Sequence, residues 1–301
     1  MNQQTPVLRI QGLHKEYGRI TAVDHLDLEI EKGSVFGLLG PNGSGKSTTL
    51  GMVMEVVNPS GGTYSWFGEV PHHSQRKRIG AILEKPNFYP RFSAIKNLQL
   101  VCKIKGVNES RIPEVLQLVG LAARQKDPFQ NYSLGMKQRL AIASALLAEP
   151  EVLILDEPTN GLDPQGIAEI RQLIIDISQS GKTIILASHL LDEVQKVCDR
   201  FAILRQGKLI HIGRVDEGFG EEVIIEVSSG DLNALDKSIA LFPGFISQKA
   251  LKDRLEVKCA QGTDPSALSK FLAEKEIYLS HIVVHRKNLE QQFMEILSNN
   301  G

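Results

Sequence analysis

The run Gly40-Pro41-Asn42-Gly43-Ser44-Gly45-Lys46-Ser47 constrains this chain more than any other stretch. It fits G-x-x-x-x-G-K-[ST], follows the apolar run Val35-Phe36-Gly37-Leu38-Leu39 and opens a segment with helical spacing, which is the strand, loop and helix context the pattern needs. Glycines let successive backbone N–H groups turn inward onto an anion, and the N-terminus of the following helix adds partial positive charge. Lys46 would then reach the outer phosphates of a nucleoside triphosphate, and the Ser47 hydroxyl would ligate Mg2+. Gly40, Asn42, Gly43, Gly45 and Thr48 complete the expected cradle. A glycine-rich turn that only caps a helix is the plainer reading, and the context argues against it.

A phosphate cradle alone does not separate kinase, GTPase and ATPase. The next informative stretch is Val152-Leu153-Ile154-Leu155-Asp156-Glu157, where an apolar strand ends in two acids. Behind a phosphate loop, Asp156 is expected to hold Mg2+ and Glu157 to orient the attacking water as general base. Without the loop, such a pair would as readily be merely solvated.

The rest of the chain supplies the frame. Apolar runs at 35–39, 152–155 and 183–186 alternate with helical stretches, as a buried parallel sheet requires. Residues 7–10, 25–30 and 63–67 read as an antiparallel piece, with Gly61-Gly62 as a turn. Residues 93–120 turn wholly helical and look like an insertion. After Gly218-Phe219-Gly220 the order becomes β-α-β-β-α-β, a small ferredoxin-like sandwich, followed by an amphipathic helix through Leu289, Phe293, Ile296 and Leu297. The expected domains are 1–217, with a helical subdomain at about 86–145, and 218–301.

Lys+Arg 34 against Asp+Glu 35 leaves a net charge of -1, so no overall field draws the chain to a polyanion and no nucleic-acid partner is expected. Three cysteines without a C-x-x-C pair fit neither a disulfide framework nor a zinc site, and suit a reducing cytosol. No run approaches the ~18 apolar residues that span a bilayer, and residues 1–6 do not read as a secretory signal. His281 and His285 share a face of one expected strand but lack a third metal ligand.

Taken with Tyr132-Ser133-Leu134-Gly135-Met136-Lys137-Gln138-Arg139, these motifs resemble the nucleotide-binding subunits of ATP-binding-cassette transporters. The octet sits where that family has its signature, opening a helix, and Ser133 is also a natural N-cap. The resemblance covers about residues 7–215 and implies the P-loop NTPase cassette fold: a mixed sheet core, an antiparallel β subdomain and a helical subdomain, here with a small C-terminal α+β domain. It implies ATP and Mg2+ as ligands, and a head-to-tail dimer in which Ser133 and Gly135 of one chain face the ATP of the other. The second chain would be another copy or a homologous cassette. Asp163, in Asn160-Gly161-Leu162-Asp163-Pro164, is the residue that communicates across that dimer by resemblance. His189, in Ser188-His189, looks like the switch histidine at the γ-phosphate, and Tyr17 looks like the aromatic that stacks on adenine.

Two positions depart from the family pattern. Leu134 replaces the first signature glycine, and Glu84 stands where the family usually has a glutamine that senses Mg2+ and links to the membrane subunit. As a carboxylate, Glu84 can itself ligate Mg2+. These departures and the C-terminal tail look like the subgroup serving bacitracin- and daunorubicin-resistance-type exporters. The implied function is ATP hydrolysis that powers a separate membrane-spanning permease, from the cytoplasmic face of the membrane, with the helical insertion and the Glu84 loop receiving a short permease helix. The alternative is a soluble cassette ATPase acting on the ribosome or on DNA. Such proteins carry two cassettes joined by a charged linker, or long coiled-coil arms between cradle and signature, and neither device is present. A small-molecule kinase is disfavoured by the signature and by His189. The tail carries no recognisable catalytic chemistry and suits a stabilising cap, a dimer contact or a regulator.

Overall fold

The computed structural model describes residues 5–83, 86–216, 222–260 and 263–285. Glu84 therefore lies outside the described residues, as do Gly218-Phe219-Gly220 and the amphipathic stretch beyond residue 285. The chain divides into two compact units, 1–216 and 217–301.

The first unit runs β1 (Leu8–Tyr17), β2 (Ile20–Ile30), β3 (Val35–Leu39), α1 (Lys46–Val53), β4 (Gly61–Trp66), β5 (Ile79–Ile82), α2 (Ala94–Lys105), α3 (Ile112–Leu118), α4 (Leu134–Leu146), β6 (Val152–Asp156), α5 (Pro164–Ser178), β7 (Thr183–Ser188), α6 (Leu191–Val197), β8 (Arg200–Arg205) and β9 (Lys208–Arg214). Six strands form one sheet in the order β5-β6-β7-β3-β8-β9. Its pairings are parallel up to β8, and β9 is added antiparallel at the edge. Every residue of β3, β6 and β7 is buried, which is why these strands read as unbroken apolar runs: helices or the second sheet cover both faces, and neither face needs polar side chains.

A second sheet, β2-β1-β4, is wholly antiparallel. One core joins the two: Leu8, Ile10, Val23 and Leu26 pack with Phe36, Leu38, Leu50, Met52, Val152 and Ile185. Trp66 ties β4 to α1 by donating its indole N–H to the Val53 carbonyl at 2.8 Å. Burying each of these larger side chains contributes about 1.5–3 kcal/mol.

Here the structure corrects the sequence reading. Gly61 and Gly62 are not a turn but the start of β4, with Gly61 opposite His14. A methyl group at Gly62 would lie 2.2 Å from the Gly12 carbonyl oxygen, and Gly62 has φ 79. Glycine is needed for backbone contact across the sheet, not for chain reversal. The antiparallel strands are also longer than their apolar cores, because polar residues continue the hairpin out to Tyr17 and Ile20.

The second unit runs β10 (Glu222–Ser229), α7 (Leu232–Ile239), β11 (Phe245–Ala250), β12 (Leu255–Ala260), α8 (Pro265–Ala273) and β13 (Leu279–His285). Its antiparallel sheet has the order β11-β12-β10-β13, the split β-α-β pattern. Ile225, Val227, Leu255, Val257 and Cys259 of the strands pack against Leu235, Ile239, Leu268 and Leu272 of the helices.

Candidate functional site

Because β3, β6 and β7 are parallel neighbours, the loops after them open on one edge of the sheet. In open α/β sheets, ligands bind at the carboxyl ends of the strands. Leu39 pairs with Ser188, and Asp156 with Ala187, so the glycine-rich loop, the two acids and His189 arrive together.

The loop wraps the N-terminus of α1. Gly45 has φ 104, and a methyl group there would lie 2.5 Å from the Ala22 carbonyl oxygen; only glycine turns the chain so close to β2. Ser44 accepts from the Gly207 N–H at 3.0 Å, and Gly207 in turn accepts from the Asp24 N–H at 2.9 Å. Asn42 and Ser47 are exposed, and Thr48 is half-buried.

The Lys46 side chain is only 4% exposed. Its ammonium donates to the Gly40 carbonyl at 2.7 Å and the Pro41 carbonyl at 3.3 Å, and stands 3.3 Å from Glu157 Oε1. Glu157 has φ 48, a left-handed conformation that is uncommon for a residue with a side chain and that concentrates at functional sites. Its N–H donates to the Ala187 carbonyl at 3.0 Å, which fixes the turn to β7.

The other carboxylate oxygen of Glu157 lies 2.7 Å from His189 Nδ1. An ionised carboxylate only accepts, so Nδ1 carries the proton and Nε2 is the nitrogen left for other chemistry. Glu157 is thus bridged between an ammonium and an imidazole, both partly withdrawn from solvent.

One contributor was not visible in the sequence reading. Ser188 donates to buried Glu193 at 3.1 Å and accepts from the Leu190 N–H at 3.0 Å. The pair braces the turn that carries His189. The available signal was an acid between Leu191 and Val194, two buried positions of a short helix.

Ser47, at the first turn of α1, and buried Asp156, at the end of β6, offer hydroxyl and carboxylate oxygens. That hard donor set suits Mg2+, which needs few protein ligands because it keeps several waters.

The remaining expected residues lie elsewhere on the unit. Ser133 caps α4, accepting from the Met136 N–H at 3.3 Å. Asp163 caps α5, accepting from the Gly166 N–H at 2.8 Å. Leu134 is 44% exposed, and its Cδ2 lies 3.3 Å from where a methyl group at Gly161 would sit, while Leu162 reaches to 3.9 Å from one at Gly135. Ser133, Gly135 and Asp163 therefore form a neighbouring surface of their own. Among the described residues, no hydrogen bond or ion pair joins them to Lys46, Glu157 or His189. Tyr17, at the end of β1, is 49% exposed, with the Lys15 ammonium 4.9 Å from its ring centre.

Known proteins resemble this chain in sequence and in fold. A family model described as ABC transporter matches residues 23–160. An uncharacterised ABC transporter ATP-binding protein, YhcH of Bacillus subtilis (strain 168), is 39% identical over 300 residues, covering 96% of this chain and 95% of its own length. The bacitracin transport ATP-binding protein BcrA of Enterococcus faecalis is 40% identical over 216 residues, 70% of each chain. Among solved structures, a dimeric ATP-binding cassette in a post-hydrolysis state, bound to ADP and Pi, matches with a TM-score of 0.63 at 25% identity, covering 70% of this chain and 100% of that one.

Proposed function

The chain belongs to the ABC transporter family as an ATP-binding and ATP-hydrolysing cassette, and from that premise we propose that it powers a separate membrane-spanning permease of the exporter kind. The observation that carries this reading is the meeting of Lys46, Glu157 and His189 at the ends of three parallel strands. A triphosphate seated on the loop N–H groups takes over the Lys46 ammonium from Gly40 and Glu157. Released from that ion pair, the Glu157 carboxylate orients a water and accepts its proton, while His189 stays aligned through its Nδ1–H and faces the terminal phosphate. Ser47 and Asp156 would hold Mg2+, which would supply positive charge to the phosphate oxygens. Tyr17 offers its exposed ring to the adenine.

One chain supplies half of each site in this reading. Ser133 and Gly135, on the exposed N-terminal end of α4, complete the ATP site of a second cassette, and Asp163 carries the signal between the two. Closure of the pair moves the permease and hydrolysis reopens it. The cassette works as a peripheral subunit on the cytoplasmic face; among the described residues no helix is long and apolar enough to cross a membrane.

The permease contact is assigned to the segment between β5 and α2. Tyr89 and Phe92 are exposed and stack on each other at 5.1 Å. Buried Asn97 holds their loop, accepting from the Tyr89 N–H at 2.9 Å and donating to the Tyr89 and Phe92 carbonyls at 3.2 and 3.3 Å. An aromatic pair on a pinned loop is a suitable rest for a short helix. Phe92→Asp is expected to leave ATP hydrolysis by the isolated chain unchanged, while co-purification with the membrane protein of the adjacent reading frame is lost. Undiminished co-purification would move the contact elsewhere.

A further inference from the structure

Three side chains of metal-ligating type meet on the β1–β2 hairpin, none of them a residue assigned above to the nucleotide site, although the Asp24 N–H reaches the phosphate loop through Gly207. The pairing passes from Leu13↔Leu26 to Lys15↔Val23, so β2 holds one more residue than β1 there. The extra residue is a bulge, a device that re-aims side chains, and His25 within it has φ 48. Asp24 and His25 both turn toward His14 as a result.

The polar geometry around His14 is specific. Its Nε2 is 3.2 Å from Glu16 Oε1. A carboxylate only accepts, so the tautomer that suits Glu16 carries its proton on Nε2 and leaves a bare lone pair on Nδ1. That Nδ1 is buried, makes no hydrogen bond, and lies 3.7 Å from Asp24 Oδ1. Two acceptors thus face each other at a separation too long for a hydrogen bond. It is close to the ~3.4 Å kept by two ligands each about 2.1 Å from a tetrahedral metal. The same Asp24 oxygen is 2.7 Å from His25 Nδ1, and the two imidazole centres are 4.6 Å apart. One ligating atom from each of the three residues falls within 4.8 Å of the others. Lys208 Nζ lies 3.5 Å from the other oxygen of Asp24, Oδ2.

We propose that His14, Asp24 and His25 form a three-ligand site for a divalent transition metal of the zinc class, with Glu16 as the outer carboxylate that orients His14. Two imidazole nitrogens and one carboxylate select zinc, nickel or copper over magnesium and calcium. The His25 side chain is 74% exposed, which leaves the fourth position to water. The metal replaces the proton that His25 Nδ1 shares with Asp24, and that proton passes to solvent. Bound there, it clips β1 to β2 next to the hairpin tip.

The test is zinc chloride titrated calorimetrically into the full chain, without nucleotide or phosphate, with cobalt(II) absorption reporting the ligand set. One equivalent is expected to bind, with proton release and a rise in melting temperature. His25→Ala, an exposed change that spares the core, is expected to lose that equivalent, and Asp24→Asn likewise. Glu16→Gln is expected to weaken it by about 10–100-fold, as removal of an outer-shell partner does. His189→Ala is expected to keep it, and a large excess of magnesium is expected not to displace it. The proposal is overturned if the parent chain takes up no zinc, if His25→Ala binds it unchanged, or if the loss falls on His189→Ala instead.

Discussion

Lys46→Ala is expected to remove ATP binding and hydrolysis together. The ammonium is almost fully withdrawn from water and, among the described residues, is held by the Gly40 and Pro41 carbonyls and the Glu157 carboxylate. A charge in that position gains most when phosphate oxygens replace those partners, because charge-assisted hydrogen bonds are the strong ones. Each contributes about 1.5–3 kcal/mol, so losing the side chain should weaken ATP by at least about 10–100-fold. The free protein should suffer as well, since Glu157 keeps a half-buried charge without its cation. A melting curve with and without ATP separates the two effects: the parent chain should gain stability from the nucleotide, and the variant should fold but gain none. A parental gain in the variant would remove Lys46 from the site.

Glu157→Gln should leave binding in place and remove turnover. The amide keeps the shape of the side chain and an oxygen for His189 Nδ1–H, and Lys46 keeps its hold on the Gly40 carbonyl. What disappears is the group proposed to accept the proton of the attacking water. General-base contributions amount to about 10²–10⁴ in rate, so turnover should fall by that factor while ATP affinity stays within a few-fold. Equal loss of both would show that the carboxylate serves structure alone.

The candidate nucleotide site was legible because its chemistry demands contiguous residues. A loop that cradles phosphate must be glycine-rich, must follow a strand and must open a helix, so residues 40–47 declare it. The acids at 156 and 157 were readable for a similar reason: nothing else ends so apolar a strand with two charges. Long-range register is what brings these stretches side by side, and the unbroken apolarity of residues 35–39, 152–155 and 183–186 indicated a parallel sheet without giving its strand order.

Other features were hidden by the same logic. The left-handed backbone at Glu157 has no sequence signature, since glycine is the usual marker of that conformation. Gly61-Gly62 carried the composition of a turn and the structural role of a close strand contact. The brace from Ser188 to Glu193 depends on a hydroxyl that looked like an ordinary neighbour of His189. His14 lies opposite Asp24 and His25 only through the bulge in β2, and a shift of one residue in a strand reverses which face a side chain occupies. Such shifts cannot be read from two segments considered separately.

In the proposed cycle ATP joins two cassettes across a shared site, each contributing what the other lacks. The most direct measurement is sedimentation velocity of the Glu157→Gln chain, in which ATP is held but not consumed. With ATP and Mg2+ it should sediment as a dimer, with ADP as a monomer, and the added change Ser133→Arg should return the ATP-bound chain to monomer. A single species of unchanged size in all three conditions, with ATP demonstrably bound, would contradict it.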